Sequence, residues 1–302
     1  MFSDLLQQSG LSFDRLQSFC LVADAGGVTR AANGDAAKQS LFSRQVKELE
    51  EFFGTELIRR TGRGIALTEA GERLNVIVRE CFASLSDFKG DCRGHPVEVV
   101  IGAGDSIIHW LLMPGLGELR KRIPKVRLKF LNLSTDAAVK RLADGVIDFA
   151  IVRHDAVLRP LRGTPLGVMG YSLFVPPGTR GPAGGKNNLK ILDHLPIATL
   201  EGEGNFRNEL AATAKKHGTR VNIEIECSSF PLAARAVING NVAAILPSIA
   251  ATDLRAAGAN EVQLGFLKPF EREMCLASNP RLERIRPILQ SVGTVLTDIC
   301  KF

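Results

Sequence analysis

Over residues 13–89 the apolar side chains recur at helical spacing, interrupted once by a corner rich in arginine and glycine. No other feature of the chain restricts its fold as much. Phe13, Leu16, Phe19, Cys20 and Ala23 mark an amphipathic first helix that ends at Gly26-Gly27. Thr29 is expected to N-cap a short helix through Arg30-Ala31-Ala32, which Asn33-Gly34-Asp35 ends. A further helix is expected from Lys38-Gln39 onward, with Leu41, Phe42, Val46 and Leu49 inward. Residues 57–67 read as a hairpin turning through Arg59-Arg60-Thr61-Gly62-Arg63-Gly64. From Thr68 to Lys89 the chain can run as one long helix, striped by Leu74, Val78, Cys81, Phe82 and Leu85.

The helix beginning near Gln39 leaves Gln39, Ser40, Ser43, Arg44 and Lys47 at its amino end and outer face. These side chains suit the major groove of duplex DNA, where Gln bonds adenine, Arg bonds guanine and Ser or Arg holds phosphate. The same types also make an ordinary solvated helix face. The tight corner lays a second helix, with Thr29 and Arg30, across this one, and the hairpin brings Arg59, Arg60 and Arg63 alongside, suited to phosphates or a minor groove. Bulk charge does not make the case. The chain carries a net +6, but residues 1–90 hold about 11 Lys/Arg against about 12 Asp/Glu, so any nucleic-acid contact must use locally concentrated charge.

Phe19, Thr29-Arg30-Ala31-Ala32, Gln39, Ser43-Arg44-Gln45, Leu49-Glu50, Gly54, Leu57, Arg60-Thr61-Gly62-Arg63-Gly64 and Leu67-Thr68-Glu69-Ala70-Gly71 form a dense collinear pattern. It resembles the winged helix-turn-helix of the LysR-type transcriptional regulators. Asp35 stands where that family usually carries Leu, Ser40 where it carries Pro or a small residue, and Lys38 where a small polar residue is common. The resemblance implies antiparallel pairing of the long helix with a second copy, hence a homodimer on a dyad-symmetric promoter site in double-stranded DNA. A homotetramer is plausible on the same ground. It extends the DNA-binding set to Thr29, Arg30, Lys38, Gln39, Ser40, Ser43, Arg44, Lys47, Arg59, Arg60 and Arg63.

Residues 90–96 read as a linker by composition. Beyond it strands are expected at 97–101, 126–131 and 149–152, with helices at 110–122 and 136–143 between them. The unit is then echoed by strands at 197–200, 221–227 and 242–246 with helices at 206–217 and 231–238. This order predicts parallel sheets with right-handed crossovers. A strand at 272–278 and a helix at 282–299 close the chain, and 166–177 and the region near Leu267 look like two crossings between lobes. The fold class is thus α/β overall: a mainly helical winged helix-turn-helix over 1–67, a linker helix and hinge over 68–95, and a two-lobed α/β domain over 96–302. Lobe I takes 96–167 and 268–302, and lobe II 168–267. Leu112-Met113-Pro114, Leu142-Ala143-Asp144-Gly145 with Asp148, and Asn239 to Pro247 resemble the periplasmic-binding-protein-like effector domain of the same family.

Ligands of open α/β sheets bind at the carboxyl ends of strands. Candidate effector contacts are therefore Gly104, Asp105 and Ser106; Asn132, Ser134 and Thr135; Arg153; Gly202, Gly204 and Asn205; and Ser228, Ser229 and Phe230. Each Ser or Thr alone is more often a helix cap, but together they ring one expected mouth. Arg153 suits an effector carboxylate or a structural ion pair. The effector's identity does not follow. The six cysteines have no zinc spacing and indicate a reducing compartment, though Cys227, between a strand and a helix, admits a thiol-based redox regulator. No G-x-S-x-G, H-E-x-x-H or Rossmann glycine triplet is present, and Gly184-Gly185-Lys186-Asn187 lacks what a phosphate loop needs, so no enzyme and no cofactor or metal is expected. No signal peptide or membrane span is visible, which places the protein in the cytoplasm.

Overall fold

Helix α1 (Phe13–Ala25) opens on Ser12, whose hydroxyl accepts from Arg15 N, and closes on Gly26 in the left-handed region. After the single turn α2 (Val28–Ala31), helix α3 (Ala36–Phe53) starts two residues earlier than expected. Asp35 is the reason: its Oδ1 accepts from Ala37 N at 2.9 Å and Lys38 N at 3.1 Å, so the family's usual apolar residue is replaced here by an N-cap. The helices close on a core of Phe19, Val22, Val46, Leu49, Leu57 and Val78. Thr29 does not cap α2. Gly27 occupies the cap position without a side-chain bond, and Thr29 is the second residue of the helix and exposed. Leu41 is also exposed rather than inward, because α3 needs only one apolar stripe. The computed structural model describes residues 5, 9–62, 64–179, 190–202 and 205–302, with the backbone alone at Asn205.

Strands β1 (Ile58–Thr61) and β2 (Gly64–Leu67) form the hairpin, with Thr61 opposite Gly64. Glu50 ties it to α3, its Oε1 accepting from Leu57 N at 2.8 Å and Ile58 N at 3.2 Å. Helix α4 (Glu69–Cys92) follows, capped by Thr68, whose hydroxyl accepts from Gly71 N and donates to the Glu56 carbonyl. Val78 is buried along α4, whereas Ile77, Leu85 and Phe88 are 49%, 47% and 67% exposed. A solvent-facing apolar stripe therefore runs down the helix, with Cys81 also exposed on it.

The remainder builds two five-stranded sheets from β3 (Val97–Ala103), α5 (Leu116–Arg122), β4 (Val126–Asn132), α6 (Thr135–Ala143), β5 (Phe149–Arg153), β6 (Arg162–Met169), β7 (Tyr171–Val175), β8 (Ile197–Leu200), α7 (Asn205–Lys216), β9 (Ile223–Cys227), α8 (Phe230–Asn239), β10 (Ala243–Pro247), α9 (Ala251–Ala256), β11 (Asn260–Val262), β12 (Arg272–Ser278), α10 (Pro280–Ile285) and α11 (Ile288–Ile299). Their orders are β4-β3-β5-β12-β6 and β11-β7-β10-β8-β9. Neither sheet is wholly parallel. β3, β4 and β5 are parallel, as are β8, β9 and β10, but β12 pairs antiparallel with both β5 and β6 in the first sheet, and β7 with both β10 and β11 in the second. Strands β6 and β7 fall where a bare crossing was expected. Pro165, Gly163 and Gly167 obscure the β6 pattern, and its place at the sheet edge is where a strand tolerates proline.

Two helices expected to be continuous are broken. The 110–122 segment splits into a π-helical turn (Ile108–Leu112) and α5. That turn sends Leu112 into the core of the first sheet while Trp110 joins the core of the second. The 282–299 segment divides at Arg286-Pro287, where the residue before proline leaves the helical region. Arg286 is buried at this break. It donates to Asp87 of α4 through Nε at 2.5 Å and Nη2 at 3.1 Å, to Asp148, and to the Glu98 carbonyl at 2.9 Å. Arg281 reaches Glu80 of α4 at 2.9 Å. The long helix is thus joined by ion pairs to the body that follows it.

Candidate nucleic-acid interface and ligand cleft

The cap at Asp35 sets the phase of α3. With Val46 and Leu49 fixed in the core, Lys38, Ser40, Ser43, Arg44 and Lys47 are all exposed, and Gln39 is partly so. Side chains at 40, 43, 44 and 47 recur at i, i+3, i+4 and i+7, which makes one polar ridge of groove-reading types. The cations on it are only loosely engaged: Arg44 stands 3.7 Å from Glu48, Lys47 3.6 Å from Glu51 and Lys38 3.9 Å from Asp35. Exposed pairs of this kind contribute roughly 0–1 kcal/mol and exchange readily for phosphate. Arg15–Glu48 and the Ser18 hydroxyl bonded to Gln45 brace the flank of α3 against α1.

Arg59 and Arg60 are exposed on β1, and alternation along the strand turns them to opposite faces. Arg59 borders a crevice of about 660 Å³ shared with Lys140, Arg141 and Asp144 of the first sheet's domain. Arg63 lies outside the described residues. Arg30 does not project freely, because its guanidinium donates to the Gly26 carbonyl, which lies against the turn end of the hairpin. Ile65 N donates to the same carbonyl at 3.1 Å. A Cβ on Gly64 would stand 2.5 Å from that oxygen, and Gly64 has φ +146°, so only glycine lets the hairpin approach so closely.

Between the two sheets lies a cavity of about 390 Å³. Five of the expected residues line it: Gly104, Ser134, Thr135, Arg153 and Phe230. Others do not. Asp105 and Ser106 enter a short helix beside α8, and Asn132 is the exposed last residue of β4. Ser229 is spent as the N-cap of α8, its hydroxyl accepting from Leu232 N, while Ser228 and Gly202 are exposed at the surface. Gly204 and the side chain of Asn205 lie outside the described residues. The sequence reading missed Tyr171, Phe206, Glu209 and Arg272, along with Met169 and Met274. One signal was available for the first: Tyr171 is the sole tyrosine of the chain and falls within the expected crossing at 166–177. Its ring stacks on Phe206 with centroids 4.5 Å apart, and Phe206 meets Phe230 edge-on at 5.6 Å. Burial pushes the Tyr171 hydroxyl up to about 12, so it remains a proton donor at neutral pH.

Arg272 is held by Glu209 at 2.5 Å and by the carbonyls of Pro269 and Glu271. Arg153 sits at the end of β5 rather than after it, with Nε 3.5 Å from the exposed Asp155. All six cysteines are free. Cys227, half-buried at the end of β9, has its thiol pKa raised by burial and then by Glu201, the opposite of thiolate activation. The Gly184 to Asn187 loop lies outside the described residues. Among the described residues no helix is long and apolar enough to cross a membrane.

Residues 13–72 match the model for bacterial regulatory helix-turn-helix proteins of the lysR family, and residues 94–296 match the LysR substrate binding domain. A probable nitrogen assimilation transcriptional activator of Synechococcus elongatus is 28% identical over 252 residues, 81% of each chain. Full-length OxyR from Pseudomonas aeruginosa superposes with a TM-score of 0.64 at 18% identity, covering 95% of this chain and 94% of that one. Full-length CbnR complexed with its target DNA gives 0.56 at 20% identity, covering 95% and 99%. With an amino-terminal helix-turn-helix and a carboxy-terminal substrate-binding domain each matched in its own place, the chain belongs to the LysR family of DNA-binding transcriptional regulators.

Proposed function

We propose that the chain reads promoter DNA with the exposed ridge of α3 and that a small molecule in the cleft between the two sheets modulates that binding. The observation that carries this is the ridge itself: Ser40, Ser43, Arg44 and Lys47 exposed on the side of α3 opposite Val46 and Leu49, with no element among the described residues covering them. Gln39 and Arg44 read bases; Ser40, Ser43, Lys38 and Lys47 hold phosphates or the neighbouring edges; Thr29 lies exposed on α2 beside them. Arg60 and Arg63 supply the hairpin's contact to the backbone. Arg30 acts indirectly, by fixing the hairpin through Gly26.

The division of labour follows 1–67 for the head, 68–95 for the connecting helix and 96–302 for the effector domain, split into lobe I (96–167 and 268–302) and lobe II (168–267). Ile77, Cys81, Leu85 and Phe88 leave α4 with an apolar stripe that a second copy of the helix would cover, giving a two-fold pair of heads. Arg286 and Arg281, which hold Asp87 and Glu80 of α4, give the lobes a rigid attachment to that helix, so a change in the cleft alters head spacing. The protein works in the cytoplasm, as a regulator and not an enzyme. The thiol-based alternative is disfavoured by the raised Cys227 pKa.

Footprinting the purified protein on genomic DNA tests this. The expected result is protection of two half-sites related by a dyad and centred about one helical turn, or a multiple of it, apart. Protection without dyad symmetry would contradict it.

A further inference from the structure

We infer that the effector is a small aromatic monocarboxylate, its carboxylate on Arg153 and its ring on Phe206 and Phe230. This rests on the cleft being the effector site. The two arginines of the cavity are not equivalent. Arg272 has its charge matched by Glu209 through Nη2, and its Nη1 donates to the Pro269 and Glu271 carbonyls. Arg153 has only Asp155, 3.5 Å from Nε and itself 72% exposed, and among the described residues its two terminal nitrogens have no acceptor. A planar fork of donors at the carboxyl end of a parallel strand is matched by a carboxylate.

A second donor set faces the same cavity. Ser134 caps the nine-residue helix α6 by accepting from Ala137 N, and its carbonyl accepts from Ala138 N. The amides of Thr135 and Asp136 are left without a partner among the described residues, at the positive end of the helix, and both residues line the cavity. Arg153 ends β5 and these amides follow β4, the two strands that flank β3, and all three residues line the one cavity.

Apart from the Arg272–Glu209 pair, the rest of the cavity is lined by aromatic and apolar side chains. Tyr171 and Phe206 are stacked at 20°, Phe230 closes at 74° to Phe206, and the thioethers of Met169 and Met274 complete the wall. Such walls suit a ring edge or face, and thioethers add favourable sulfur–aromatic contacts. The volume of about 390 Å³ is at the low end for a small-molecule site. An ammonium group finds no buried acceptor there. Glu209 is committed to Arg272, and Asp136 is exposed in the first turn of α6. A zwitterionic amino acid is therefore disfavoured against a plain acid.

Isothermal titration of the full-length protein tests this with four probes: trans-cinnamate, its neutral isostere cinnamamide, hexanoate, and phenylalanine. Cinnamate is expected to bind at least tenfold more tightly than each of the others. Arg153→Met is expected to remove that advantage while leaving cinnamamide binding unchanged, which shows that the variant is folded; Phe230→Ala should weaken cinnamate and cinnamamide alike. Cinnamamide or phenylalanine binding as tightly as cinnamate, or no binding of cinnamate at millimolar concentration, overturns the assigned class. If the class is overturned in this way but another probe binds and Phe230→Ala weakens it, the cleft remains the effector site. Cinnamate binding indifferent to both substitutions places the ligand elsewhere and removes the effector cleft itself.

Discussion

Gly71→Ala is expected to destabilise the DNA-binding head by about 3 kcal/mol, although it places the better helix former inside a helix. A Cβ at Gly71 would lie 2.0 Å from the Leu57 carbonyl oxygen, a backbone atom with no rotamer to change. Relief requires a shift of about 1 Å in a residue that is 1% exposed. Leu57 cannot move alone. Its carbonyl accepts from Thr68 N at 3.0 Å and its amide donates to Glu50 at 2.8 Å, so displacement strains the cap of α4 and the anchor of the hairpin together. Overpacking costs about 1–3 kcal/mol and each weakened hydrogen bond about 1 kcal/mol, against a propensity gain of about 1 kcal/mol. For a head of this size, the net corresponds to a loss on the order of 10 °C in midpoint. Hydrogen exchange on peptides covering residues 57–71, with a far-ultraviolet circular dichroism melt, measures it in the full-length protein. Gly117→Ala is the control. Gly117 lies exposed in α5 with nothing within 4 Å of its would-be Cβ, so this change should be neutral or stabilise by up to about 1 kcal/mol. Equal midpoints for the two variants would refute the reasoning, since propensity alone would then decide both.

Arg286→Met leaves Asp87 and Asp148 facing one another without their cation, and a loss of about 3–5 kcal/mol is expected in urea unfolding; a midpoint within error of the parent would show that the pairs contribute nothing. Burial pushes the Cys300 thiol up to about 12 and Cys20 to about 11, so both stay protonated in the folded protein while the unfolded thiols ionise near 9. A raised folded pKa gives stability that is complete below the unfolded value and is lost as pH rises toward the folded one, by about 1.4 kcal/mol per pH unit per thiol. Urea midpoints should therefore fall from pH 8 to pH 11, and Cys300→Ala should flatten that fall; an unchanged slope would remove Cys300 as its source. Cys227, raised above 9.0 by burial and by Glu201, should react with iodoacetamide at pH 7 more slowly than free cysteine, and faster alkylation would revive it as a redox sensor.

Local chemistry was legible in the sequence, and long-range encounter was not. The α3 ridge, the hairpin and the α4 helix could be read because each depends on spacing within a few turns and on caps such as Thr68. Where a nearby residue competed, the reading slipped: Asp35 took the capping role and moved the start of α3, while Gly27 displaced Thr29. The cleft was half visible. Gly104, Ser134 and Thr135 follow strands of one recognisable unit and Arg153 ends another of its strands, so topology placed them. Tyr171, Phe206 and Arg272 come from three separate segments, one on a strand whose start just after Gly170 resembled a linker. Arg286 was unforeseeable for the same reason, since its partners lie 138 and 199 residues away.

The base-reading role of the α3 ridge is tested most directly by selecting binding sites from a randomised duplex library with the parent protein, Gln39→Ala, Arg44→Ala and Lys47→Ala. Gln39→Ala and Arg44→Ala should each relax preference at one position per half-site by about 1–3 kcal/mol. Lys47→Ala should weaken all sequences alike and lower the salt dependence by about one charge. Identical selected sequences and affinities for the parent and all three variants would contradict the account.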